Sequence, residues 1–375
     1  MSNVAPTPEP VRTWVRRRVP AVVALAGLAL VSAACGANAE GGSTTTTTTA
    51  GSTTTAAATT AVPSTASTTT APATTTTVAP VPAPLTGAPA PDPEVLDRPA
   101  LVVKIDNHPS ANPQSGLNLA DIVYEEEVEG ISRLLAIFHS QASSPVGPIR
   151  SGRTSDIDIM GALGTPLFAW SGGNAKVTAA IRNADLVDVG FATSSGPGGY
   201  YRERTRSAPH NLYADGEKLF ALARPEQNAP QPLFTYRAPG EATALGRPVA
   251  GVDFAISGTR GGWRWDAASA SWQRLQDGKP HMTLGGERVS AANVVVQFTT
   301  YRTSPADPKS PEAVTVGTGE AWVFVDGRVV EGTWTRASAQ APTVLETDDG
   351  QVIALSPGRT WVELPRSAKA TVVEG

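Results

Sequence analysis

Arg150 and Arg153 stand three residues apart in Ile149-Arg150-Ser151-Gly152-Arg153, the densest polar stretch of the chain. Two guanidinium forks beside small residues that permit close backbone approach can hold carboxylate or phosphate oxygens through paired hydrogen bonds. The same arginines can instead pair with Asp156, Asp158 or the upstream glutamates and only order a loop. Those glutamates are Glu125, Glu126, Glu127 and Glu129, and Glu126 or Glu129 is a candidate general acid or base. His210 follows Pro209 in a polar loop, where an imidazole can titrate near neutrality and carry a proton. Its structural alternative is a hydrogen bond that fixes the loop. Asp106, Asn107, Ser151, Asn211 and Tyr213 complete the set of candidate ligand contacts.

The sequence holds no Gly-x-Ser-x-Gly elbow, no His-Glu-x-x-His pair and no Walker loop, and Gly172-Gly173 alone is no nucleotide fingerprint. With four histidines far apart, nothing in the spacing calls for a metal or a cofactor. The single cysteine excludes a disulfide scaffold, a Cys-based zinc knuckle and an iron-sulfur cluster.

Short elements must position these residues. Leu101 to Ile105 reads as a buried strand that delivers Asp106 and Asn107 into a polar turn. Asp121 to Gly130 runs from a strand into the glutamates, and alternation along it puts Glu125, Glu127 and Glu129 on one acidic face with Glu126 opposite. Ile131 to His139 and Leu167 to Trp170 are further strands. Helices are predicted from Gly172-Gly173-Asn174 onward and over Asp215 to Ala223. Beyond a Pro-, Gln- and Ala-rich junction at 224–249 the pattern changes to short strands, including a hairpin from Trp322 to Trp334 with Asp326-Gly327 at its turn. Paired tryptophans there could line a sugar-binding face, although such pairs more often pack a small core.

The N-terminus says where the chain resides. Arg16-Arg17-Arg18 precedes an apolar run from Val19 to Val31, too short for a comfortable membrane span, which ends at Ser32-Ala33-Ala34-Cys35. This resembles a bacterial lipoprotein signal, in which cleavage before Cys35 frees its amine and the thiol receives diacylglycerol, with Ser32 standing where such motifs usually place Leu. An ordinary secretory signal or an uncleaved anchor are the alternatives. Positions 41 to 80 hold 19 Thr in 40 residues, and no charge occurs between Glu40 and Asp92. Such a segment cannot offset its ordering entropy and is expected to be a disordered tether. The leader carries a net +3 of a formal −4, so the chain from Cys35 onward is near −7. With 30 Lys+Arg against 34 Asp+Glu and no basic run after the leader, nucleic-acid binding is excluded as the main role.

Asp106-Asn-His, Asp121-Ile-Val-Tyr-Glu, Glu129-Gly with Arg133, Gly147-Pro-Ile-Arg-Ser-Gly-Arg153 and Ala208-Pro-His-Asn-Leu-Tyr213 resemble the YerB-like family of bacterial lipoproteins. So do Asn293-Val-Val-Val-Gln297 and Gly332-Thr-Trp-Thr-Arg336. The resemblance covers about residues 97 to 365. It implies an envelope location and an N- and a C-terminal domain of unknown function, DUF3048, with no established reaction. Met282 stands where that family more often has an acidic residue, which weakens any metal site there.

The expected organisation is therefore a signal peptide at 1–34, a disordered tether at 35–94 and an α/β or α+β domain at 95–223. After the junction come a mainly β domain at 250–366 and a disordered tail at 367–375. The expected role is an envelope module, held to membrane lipid through acylated Cys35 on the extracytoplasmic face, that binds a cell-wall polymer or an envelope protein. The competing expectation is a hydrolase or transferase acting on a cell-wall polymer.

Overall fold

The computed structural model describes residues 81–375. The signal peptide, Cys35 and the Thr-rich segment to residue 80 lie outside the described residues. Strands β1 (Leu101–Asp106), β2 (Ile122–Glu127) and β3 (Ser132–Phe138) are buried along nearly their whole length because both of their faces are covered, although β2 carries three glutamates. β3 pairs antiparallel with β1 on one side and with β2 on the other. Beyond β1, the strands β4 (Leu167–Ala169) and β5 (Val187–Asp188) continue the sheet in parallel. Short helices fill the connections: α1 (Ser155–Met160), α2 (Ala175–Arg182), α3 (Phe191–Ser194) and α4 (Gly216–Phe220). The hairpin of β6 (Tyr201–Arg202) and β7 (Leu212–Tyr213) carries the loop with His210.

The C-terminal part is almost all β. After β8 (Arg247–Pro248) come β9 (Gly251–Ile256), β10 (Thr259–Asp266), β11 (Ser271–Gln276), β12 (Lys279–Pro280) and β13 (Ser290–Ala291). Then follow β14 (Asn293–Gln297), the ribbon β15 (Tyr301–Ser304) and β16 (Asp307–Ala313), the hairpin β17 (Gly317–Val325) and β18 (Arg328–Arg336), and β19 (Val344–Glu346). The β17–β18 turn is at Asp326-Gly327, where both residues have positive φ, 48° and 72°. That is the conformation a two-residue hairpin loop of this sequence favours.

Strand β20 (Thr360–Glu363) decides the architecture. It lies between β14 and β2, parallel to both, and so joins strands from the two halves into one eleven-stranded sheet in the order β19-β18-β17-β14-β20-β2-β3-β1-β4-β5, with β8 on β18. A six-stranded sheet, β12-β11-β10-β9-β21 with β21 at Ala370–Val373 and β13 on β11, packs against one face of it. Its tryptophans Trp263 and Trp272 are buried there with Trp361 of β20. Those rings meet edge-on, Trp263 to Trp361 at 5.2 Å and Trp272 to Phe324 at 5.5 Å, so they form a core and no sugar platform.

The mixed N-terminal part followed by a mainly β part matches the expected fold class. Three expected boundaries change. Residues 81–94, expected in the tether, are packed on the domain: Ala83 and Leu85 are buried and Tyr236 donates to the Leu85 carbonyl at 2.6 Å. The 224–249 junction packs Leu233 and Phe234 into the core and supplies β8, so it does not separate two bodies. The tail at 367–375 is not disordered: β21 (Ala370–Val373) pairs antiparallel with β9. In each case backbone pairing or burial formed with residues far along the chain, which local composition cannot reveal.

Candidate functional site

β1, β4 and β5 run parallel, and open parallel sheets place ligands beyond the carboxyl ends of their strands. Asp106 is the last residue of β1. The loop with Arg150 crosses the same edge: Arg150 N–H donates to the Lys104 carbonyl at 2.8 Å, and Ser171 N–H, just after β4, donates to the Arg150 carbonyl at 3.0 Å. Gly152 lets this loop lie against α2, because a Cβ there would come within 2.7 Å of Ile181 Cδ1.

Asp106 organises the site. Its carboxylate is 1% exposed and accepts from His210 Nδ1 at 2.6 Å, while its Oδ1 accepts from the His108 N–H at 3.0 Å. The rings of His108 and His210 stack at 4.2 Å. Arg150 Nε lies 3.1 Å from Asp106 Oδ2 but is not aligned to donate, so this is an ion pair without a hydrogen bond. No described residue accepts a hydrogen bond from the Arg150 guanidinium. Arg150 is 23% exposed and His210 16%.

The other arginines are committed. Arg153 forms a fork with Glu129, Nε to Oε1 at 2.9 Å and Nη2 to Oε2 at 2.5 Å, and also donates to the Gly152 carbonyl. Burial raises the Glu129 carboxyl, but the Arg153 bonds and charge outweigh it and hold the group down to about 2. Arg133 donates to the Ser151 carbonyl at 3.0 Å. Its pKa is lowered to about 10, first by burial and then by the charges of Arg153 and Arg150. Three cations beside two carboxylates, Asp106 and Glu129, leave the patch net positive.

Several candidates prove structural. Glu126 is sealed: Lys104 Nζ contacts it at 2.5 Å and Asp156 at 2.7 Å, and none of the three is exposed. Burial raises its pKa, partly offset by Lys104 and reinforced by Asp156. As a candidate acid or base Glu126 has no access to a substrate. Nor is there an open acidic face: Glu125 is buried against Arg274, Glu127 pairs with Arg366 at 2.8 Å and Glu129 with Arg153. Asn107 is buried and donates to Glu125 at 3.1 Å and Ser132 at 2.9 Å. Asn211 spends its amide on the Glu203 and Arg206 carbonyls and accepts from Arg202, which fixes the loop. Tyr213 is buried and stacks on Tyr201 at 5.8 Å, with its hydroxyl pushed up to about 12 by burial. Ser151 contributes its backbone carbonyl to Arg133.

Sequence reasoning overlooked Lys104, whose signal was a charge inside the apolar run Leu-Val-Val-Lys-Ile. It also overlooked His108 as a partner of His210, although the Asp106-Asn-His string displays it. Among the described residues no group of three or more His, Cys, Asp or Glu is placed to hold a metal ion, and no helix is long and apolar enough to cross a membrane.

Comparison with known proteins gives the family and the fold. The model for the N-terminal domain of the protein of unknown function DUF3048 matches residues 85–229, and that for its C-terminal domain matches residues 252–362. The chain belongs to the DUF3048 family. It is 27% identical over 305 residues to the "Putative lipoprotein YerB" of Bacillus subtilis (strain 168), covering 78% of this chain and 89% of that one. The crystal structure of the Bacillus subtilis YerB protein superposes with a TM-score of 0.67 at 23% identity, covering 78% of this chain and 100% of that chain. This last likeness shows that the DUF3048 fold is shared. β20 lies between β14 and β2, so both DUF3048 segments contribute strands to the same sheet.

Proposed function

We propose that this DUF3048 protein is an extracytoplasmic module, tethered to membrane lipid through acylated Cys35, that binds an anionic group of a cell-wall component or envelope protein at Arg150 and His210. One observation carries the reading: Arg150 is oriented by the buried Asp106 carboxylate yet spends no guanidinium hydrogen bond on any described residue. A fork with unspent donors, beside the partly exposed His210 and with Arg133 and Arg153 adding positive field, suits a carboxylate or phosphate. The anchor rests on the signal pattern ending at Cys35 and on the lipoprotein relative.

A second reading, a hydrolase or transferase, is favoured by the Asp106–His210 pair, because a carboxylate on Nδ1 orients an imidazole for base work. Against it, Glu126 is sealed and Glu129 is locked to Arg153, so neither carboxylate offers a second proton-transfer group.

The test is a titration of the purified full chain with soluble wall fragments. Arg150→Ala should weaken saturable binding about 10- to 100-fold, the range for a charged hydrogen-bonding partner. Inorganic phosphate should compete with the wild type and not with the variant. Unchanged binding in Arg150→Ala removes the site from the reading, and no binding at all removes the wall component.

A further inference from the structure

A cavity lies apart from the arginine patch, against the loop that follows β1. It measures about 450 Å³ and is lined by Asn112, Pro113, Gln276, Asp277, Lys279, Pro280, His281 and Met282. That size is within the range of small-molecule sites. Three of these residues carry a buried polar atom with no hydrogen-bond partner: Asn112 Oδ1, Gln276 Oε1 and His281 Nδ1. Gln276 and His281 are more than nine-tenths buried. Buried polar atoms are almost always satisfied, so three unsatisfied ones around one cavity call for an explanation.

The bonds around His281 fix what it needs. Asn107 must point its Nδ2 at the Glu125 carboxylate, so its Oδ1 accepts from Gln114 Nε2 at 3.0 Å. Gln114 Nε2 also donates to the Asp106 carbonyl at 3.1 Å, which leaves Gln114 Oε1 to accept from His281 Nε2 at 2.8 Å. His281 therefore carries its proton on Nε2 and presents a lone pair at Nδ1. Burial, then the charges of Arg274 and Arg288, keep this imidazole neutral by pushing its pKa well below the ordinary value.

A ligand that satisfies Nδ1 must donate. A carboxylate or phosphate has no such donor, and an ammonium or metal ion would face the field of Arg274 and Arg288. A neutral hydroxyl fits, and because it both donates and accepts it serves Asn112 and Gln276 in either amide orientation. Pro113, Pro280 and Met282, the last 37% exposed, offer apolar surface to ring C–H groups. A peptide adding as a strand is disfavoured, because the adjacent edge strand β12 is only Lys279–Pro280 and Pro280 has no N–H.

We propose that this cavity is a binding site for a neutral saccharide, held by hydroxyl donation to His281 Nδ1, Gln276 Oε1 and Asn112 Oδ1. It is separate from the anion site, and the two stand or fall independently.

The test is calorimetric titration of the full chain with neutral tetrasaccharides, tetra-N-acetylchitotetraose, cellotetraose and maltotetraose, beside tetra-alanine as the peptide probe. Two variants remove an acceptor and conserve shape: His281→Gln keeps a donor to Gln114 and loses the lone pair, and Gln276→Met loses the carbonyl. Circular dichroism confirms that both fold. At least one saccharide should bind the wild type, each variant should bind it about tenfold more weakly, and Arg150→Ala should bind it as the wild type does. The proposal is overturned if none of the saccharides binds, if both folded variants bind as the wild type, or if only tetra-alanine shows the variant-dependent loss.

Discussion

Lys104→Met is expected to lower the unfolding free energy by about 3–5 kcal/mol, the usual cost of stripping the partner from a buried charge. Lys104 sits inside β1 between Val103 and Ile105, and alternation turns it with Val102 toward the face covered by α1. There its Nζ reaches Glu126 of β2 at 2.5 Å and Asp156 of α1 at 2.7 Å, all without solvent. Methionine matches the stem and leaves two carboxylates facing one another. Glu126 already has a raised pKa, chiefly from burial, and loses the cation that opposes the rise. A carboxyl whose folded pKa is raised contributes fully below its ordinary value of 4.5 and less as pH climbs through the folded value. The deficit of Lys104→Met should therefore be largest at neutral pH and shrink in acid. Urea midpoints across pH check this, and a variant as stable as the wild type at neutral pH would show that the triad contributes nothing.

Arg274→Met should cost a similar 3–5 kcal/mol. Arg274 is fully buried, ion-paired with Glu125, and its guanidinium lies 4.7 Å from the Trp361 ring centroid and 5.7 Å from that of Trp263. It serves as cation for two buried glutamates, because Glu363 of β20 lies beside Glu125. Glu363 is held well above its ordinary 4.5 by burial and by the Glu125 charge, against the pull of Arg274, while it accepts from Trp263 Nε1 at 2.8 Å. Its contribution is thus complete below about 4.5 and declines as pH rises through the folded value. Glu363→Gln keeps the acceptor for Trp263 and a donor toward Glu125, and cannot ionise. It should equal the wild type in acid and exceed it increasingly as pH rises. Parallel pH profiles of melting temperature for the two proteins would contradict that assignment.

Much of the local structure was legible in the sequence. The apolar run at Leu101 to Ile105 became β1, Ile131 to His139 became β3, and Asp326-Gly327 turned the β17–β18 hairpin because Asp-Gly is one of the few pairs that suit two positive φ values. The candidate site was legible in its parts: Asp106, Arg150 and His210 were each marked by a polar residue where a strand ends or a loop turns. Their meeting was not legible, since 104 residues separate Asp106 from His210. Alternation separated Glu125 from Glu126 correctly but could not show that each side would be covered, one by the six-stranded sheet and the other by α1. The partners that cover them, Arg274 and Asp156, are 149 and 30 residues away. The position of β20 between β2 and β14 likewise depends on long-range pairing that no local period encodes.

The most direct measurement compares co-sedimentation of the full chain with isolated peptidoglycan for the wild type, Arg150→Lys and Arg150→Ala, with mass spectrometry of the soluble fragments before and after. Lysine keeps the charge and loses the fork, so binding should fall in the order wild type, Arg150→Lys, Arg150→Ala, with fragment masses unchanged. Equal binding by all three, or new fragment masses that vanish in His210→Ala, would contradict an anion-binding module at Arg150 and His210.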